Sequence, residues 1–96
     1  MGLDNPVIAW TVDGLANLYR EQDKYVEAEP LYRRSLAIKE QTLAPDHPSI
    51  MDTLENYATL LQQIQRTEEA AQFEKRAWAI QAKWMNNLND KTPQDT

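Results

Sequence analysis

The chain has 96 residues, with 15 Asp or Glu against 10 Lys or Arg and a net charge of −5. This acidic balance argues against nucleic acid and against an anionic membrane surface, each of which needs a basic face. No apolar run approaches the ~20 residues of a membrane span, and with no cysteine there can be no disulfide, thiolate nucleophile or thiolate metal site, which fits a cytoplasmic setting.

Four helices are expected in chain order. The first covers about 6–22, with Asp4 or Asn5 placed to cap it and Pro6 in the first turn, where a missing N–H costs nothing. Its apolar residues Ile8, Val12, Leu15, Ala16, Leu18 and Tyr19 recur at helical spacing. The second covers about 25–43 and carries Ala28, Leu31, Tyr32, Ser35, Leu36, Ile38 and Leu43, with Pro30 near its start, where the lost N–H is expected to have had no helical partner. In the linker Ala44-Pro45-Asp46-His47-Pro48, Pro45 stops one helix, Asp46 or His47 caps the next and Pro48 opens it. The third helix then covers about 48–64. The fourth covers about 67–88, with Thr67 as cap and Glu68 and Glu69 complementing the helix dipole. Residues 89–96 read as a polar, frayed tail. With two glycines and no alternating pattern, the expectation is all-α.

The chain also repeats itself. Shifted by 42 residues, the 35 pairs from Asp4/Asp46 to Ile38/Ile80 contain 11 identities, among them Pro6/Pro48, Thr11/Thr53, Ala16/Ala58, Leu18/Leu60 and Ala28/Ala70. Chance at ordinary composition gives roughly two. Such a period marks stacked supersecondary units, here 4–45 and 46–88, each an antiparallel helix pair.

The strings Leu15-Ala16-Asn17-Leu18-Tyr19-Arg20, Tyr25-Val26-Glu27-Ala28-Glu29-Pro30-Leu31-Tyr32 and Pro45-Asp46-His47-Pro48 resemble the long tetratricopeptide repeat of kinesin light chains, a type also found in bacterial signalling and scaffold proteins. The resemblance covers nearly all of 4–84. It implies an α-solenoid of two repeats in which Ala16, Ala28, Ala58 and Ala70 sit where helices cross closely, with Ser35 and Ala77 as further small positions. Leu15, Tyr19, Leu31, Tyr32, Tyr57, Leu61 and Phe73 then fill the gaps. Two departures stand out. The turns within pairs carry Asp23 and Gln65 instead of glycine, so the second turn is expected to be strained or longer. Glu74 stands where an aromatic is usual, with Phe73 beside it.

The resemblance further implies that the first helix of each pair lines a concave face. Its outward residues are Trp10, Asp13, Asn17, Arg20 and Glu21 from the first unit and Asp52, Glu55, Asn56, Thr59, Gln62 and Gln63 from the second. These would bind an extended peptide, although each alone also reads as solvated surface. A carboxylate-gripping member of the family places basic or amide side chains where Asp13 and Glu55 stand here. The expected partner is therefore a protein or peptide that is basic or neutral, not acidic.

The fourth helix carries two apolar stripes. Ala70, Phe73, Ala77, Ile80 and Trp84 face the chain's own core, while Ala71, Trp78, Ala82 and Met85 form a second stripe for which no further unit follows. Trp78, Ala82 and Met85 are thus a self-association edge. Either the chain belongs to a longer array, or a second copy covers the edge and a homo-oligomer forms through the C-terminal helix. His47, the only histidine, reads as a linker cap. No Gly-rich phosphate loop, nucleophile elbow or Glu-x-x-His pair is present, so no catalytic residue, metal or cofactor is expected. The functional expectation is a protein-interaction scaffold. The alternative is a structural spacer or oligomerisation segment with no ligand of its own.

Overall fold

The computed structural model describes residues 6–91. Four helices make up the described residues, with no strand: α1 (Pro6–Glu21), α2 (Tyr25–Thr42), α3 (Pro48–Gln63) and α4 (Thr67–Lys91). The expected caps Asp4 and Asn5, and residues 92–96 of the expected tail, lie outside the described residues. Residues 89–91, expected to fray, instead continue α4.

Local chemistry explains most boundaries. His47 is the N-cap of α3: its Nδ1 accepts the Ser49 N–H at 3.0 Å while Pro48 occupies the first turn. Thr67, expected as a cap, is already helical. The Arg66 carbonyl accepts the first helical bond, from Ala70 N–H at 3.1 Å, because the preceding turn ends on Arg66. Pro30 lies inside α2, beyond the four N–H groups that lack partners in any helix. Its ring therefore removes a bond that the Val26 carbonyl would have accepted. Val26 is exposed, and water can take that place.

The two intra-unit turns superimpose bond for bond. Asp23 N–H donates to the Arg20 carbonyl at 2.9 Å and Lys24 N–H to Tyr19 at 2.8 Å; one repeat on, Gln65 donates to Gln62 at 3.1 Å and Arg66 to Leu61 at 2.8 Å. This is a Schellman motif, which requires a left-handed residue, and Asp23 and Gln65 have φ of 63° and 69°. The second turn is therefore strained and not longer. Replacing Gln65 with Gly is expected to raise stability by about 0.5–1 kcal/mol, the left-handed penalty less glycine's extra unfolded-state freedom. Urea unfolding checks this, and a Gln65→Gly variant less stable than the parent contradicts it.

The small residues sit where helices cross: Ala16, Ala28, Ala58, Ala70, Ser35 and Ala77 are all buried. Tyr32 stacks on Tyr57 with centroids 5.9 Å apart, and Tyr57 on Phe73 at 4.7 Å, so Phe73 supplies the aromatic that Glu74 does not. Leu15, expected to fill a gap beside Ala16, is instead 42% exposed. Its counterpart Tyr57 is buried because α2 covers it, whereas none of the described helices covers that side of α1.

Helices pack in the order α1·α2, α2·α3 and α3·α4. The backbones of α1 and α3 also approach one another, while those of α2 and α4 do not. The stack therefore bends, with α1 and α3 on its inner side and dimensions of 54 × 36 × 18 Å.

Candidate functional site

The inner face is built from one stripe of α1 and one of α3. On α1, Trp10, Asp13, Asn17 and Arg20 follow each other at three- and four-residue steps, which a helix brings onto one side. Each is tied to the scaffold. The exposed Trp10 ring donates through Nε1 to Ser49 Oγ at 3.1 Å. Asn17 Oδ1 accepts the hydroxyl of Tyr32. Burial pushes that hydroxyl up to about 12, which keeps it protonated as the donor. Arg20 Nη1 donates to the Asn56 carbonyl at 3.1 Å and so bridges the two units.

Asp13 departs from the expectation of an outward-facing acid. Its Oδ2 accepts Lys39 Nζ at 2.5 Å and Thr53 Oγ1 at 2.9 Å, and its side chain is 14% exposed. Lys39 is 1% exposed and also donates to Thr53 Oγ1 at 2.7 Å and to the Ser49 carbonyl at 3.0 Å. All three ammonium protons are thus used in a knot joining α1, α2 and α3. The other carboxylate oxygen, Asp13 Oδ1, is buried without a partner. Sequence reasoning missed Lys39, Thr53 and Ser49. The available signal was the spacing Tyr32-Ser35-Leu36-Lys39, which puts a lysine on the buried stripe of α2.

On α3, Asp52, Glu55, Thr59 and Gln63 are exposed and Asn56 is half-buried. Thr59 bonds back to the Glu55 carbonyl of its own helix at 3.0 Å. Gln62 turns toward α4, where its Nε2 donates to Glu74 at 2.5 Å. Glu21 is exposed at the end of α1. The inner face therefore combines an aromatic ring with a rim in which Glu21, Asp52 and Glu55 outnumber Arg20.

The joint between the units is charged on its outer side. Glu29 accepts from Tyr57 hydroxyl at 3.0 Å, Arg66 at 2.8 Å and Arg33 at 3.1 Å. Burial pushes its carboxyl up, but the Arg66 and Tyr57 bonds and the two guanidinium charges outweigh that and hold it below the usual range. Arg76 pairs with Glu40. A cavity of about 410 Å3 at the α3–α4 turn is lined by Gln65, Arg66, Thr67, Glu68 and Glu69. It lies away from the inner face, and its Arg66 is already paired to Glu69 and Glu29.

At the far end, Trp78 is 68% exposed and Ala82 and Met85 are also exposed. Trp84 is anchored by its Nε1 donating to the Asp46 carbonyl at 2.6 Å. Among the described residues no group of three or more acidic, histidine or cysteine side chains is placed to hold a metal ion, and no helix is long and apolar enough to cross a membrane.

Residues 7–83 match the family model described as tetratricopeptide repeat. No curated protein matches the chain.

Proposed function

As the chain belongs to the tetratricopeptide repeat family, a non-catalytic scaffold type, we propose that it is a protein-interaction module whose α1–α3 face takes an extended peptide, basic or neutral and not acidic. The observation that carries this reading is the pairing of the exposed Trp10 ring with the acidic rim of Glu21, Asp52 and Glu55. A ring in water gains by covering a peptide's apolar side chain, and a cationic or N–H-rich backbone neighbour satisfies the acids. The linker Pro45-Asp46-His47-Pro48 supports a kinesin-light-chain-like subtype, and the absence of cysteine is compatible with the cytoplasm.

The test is a low-salt anisotropy titration of labelled lysine-rich, neutral and glutamate-rich peptides against the chain. The basic or neutral set is expected to bind more tightly. Asp52→Lys combined with Glu55→Lys should weaken that binding by about tenfold, since two rim charges reverse. Tighter binding of the acidic set overturns the reading. Equal indifference to all three sets favours a spacer instead.

A second surface is favoured by a separate observation. Trp78, Ala82 and Met85 form an exposed apolar stripe on α4, which suits docking against another protein surface, including a homo-oligomer through that helix.

A further inference from the structure

We infer that the occupant of the α4 edge is the opposite end of a second copy, the exposed face of α1, joined in the same register as α2 and α3 within the chain; this rests on the reading of α4 as a docking edge. The internal joint supplies the template. On its α2 side it uses Leu36, Lys39, Glu40 and Leu43; on its α3 side, Ser49, Thr53, Tyr57 and Leu60. Advance the first set by 42 residues and it becomes Trp78, Gln81, Ala82 and Met85. Move the second set back by 42 and it becomes Val7, Thr11, Leu15 and Leu18. All eight translated positions are exposed, although the residues they correspond to in the joint are mostly buried or half-buried.

The chemistry of the two ends matches. In the joint, Thr53 Oγ1 bonds to the Ser49 carbonyl at 3.4 Å, and Lys39 Nζ donates to both groups. At the α1 end the same acceptor pair recurs, with Thr11 Oγ1 bonded to the Val7 carbonyl at 3.2 Å. Gln81 stands at the lysine position and carries an amide NH2 able to donate to both. Lys39 needs Asp13 as a counter-charge, whereas a neutral amide needs none, which suits a contact that has to come apart. The two carboxylates that clamp the joint, Glu29 and Glu40, become Ala71 and Ala82, and Glu74, at the position of Tyr32, is already bonded to Gln62 at 2.5 Å. Lys24, at the Arg66 position, then meets Ala71 with Glu74 one turn further along α4. Trp78 and Met85, larger than Leu36 and Leu43, meet Ile8 and Val12, which stand where Ile50 and Leu54 pack with Leu36 and Leu43, while Leu18 takes the place of Leu60 in the cluster that holds Ala28, the counterpart of Ala70. An interface between different faces does not close on itself with two copies, so it builds an open chain and not a two-fold dimer.

Sedimentation velocity over a concentration series tests this with the parent chain, Trp78→Glu, Leu18→Glu and an equimolar mixture of the two. Both substituted side chains are exposed, and circular dichroism confirms that the variants fold. The parent is expected to grow beyond a dimer as concentration rises. Each variant alone should need at least about tenfold more protein to associate. The mixture should form a one-to-one pair and stop there, because each variant keeps the end that the other has lost. If Leu18→Glu associates like the parent while Trp78→Glu does not, the α4 edge stands and head-to-tail joining falls. A mixture that stays monomeric also overturns the joining. A parent that remains monomeric throughout overturns both.

Discussion

Asp13→Ala is expected to destabilise the chain by about 3–5 kcal/mol, the range for removing one partner of a buried ion pair. The cost comes from what stays behind. Lys39 is 1% exposed, and without Asp13 its ammonium keeps only the neutral oxygens of Thr53 and Ser49. That buried charge must then draw water into the junction of three helices. A chain of this length has about 5–15 kcal/mol in total, so the loss is a large fraction of it. The reverse change, Lys39→Met, should cost less, because Asp13 lies at the rim of the inner face, 14% exposed, and can rehydrate. Combining Asp13→Leu with Lys39→Met should recover much of the loss, since no buried charge remains. Urea unfolding of the four proteins measures all of this. An Asp13→Ala chain within about 1 kcal/mol of the parent would mean that the knot contributes little.

This knot also marks where sequence reading ran out. The helices, their linker and both left-handed turns follow from local chemistry: prolines and His47 at a boundary, a six-residue hydrogen-bond pattern at each turn, and apolar residues at helical spacing. The buried alanines were legible because the repeat showed each position twice. Asp13, by contrast, paired with Glu55 under the same shift, and two acids at equivalent positions read as two solvated side chains. What separates them is a residue far off in sequence. Lys39 lies 26 positions from Asp13, and its own counterpart is Gln81. Comparing repeats averages over such differences, whereas the structure resolves them, because among the described helices α3 buries Lys39 and none buries Gln81. Leu15 was misplaced for the same reason. Its position is covered by α2 in the second unit and by none of the described helices in the first.

That asymmetry yields the other large expected effect. Leu18 and Leu60 are the same residue at the same point of the repeat, 49% and 0% exposed. Changing either to alanine alters helix propensity equally and by little. Leu60→Ala should nonetheless cost about 2–5 kcal/mol, because it leaves a cavity among Tyr57, Leu61 and their neighbours in the core. Leu18→Ala should cost less than about 1 kcal/mol in dilute solution. The difference isolates what the α2–α3 joint contributes at that position. Equal costs at low concentration would show that the α1 face around Leu18 is not bare in solution. Protein concentration adds a second axis. Leu60 is buried by its own chain, so its cost is the same at any concentration. If the α1 face joins the α4 edge of another copy, the cost of Leu18→Ala climbs toward that of Leu60→Ala as the chains associate, because mass action then supplies the missing neighbour.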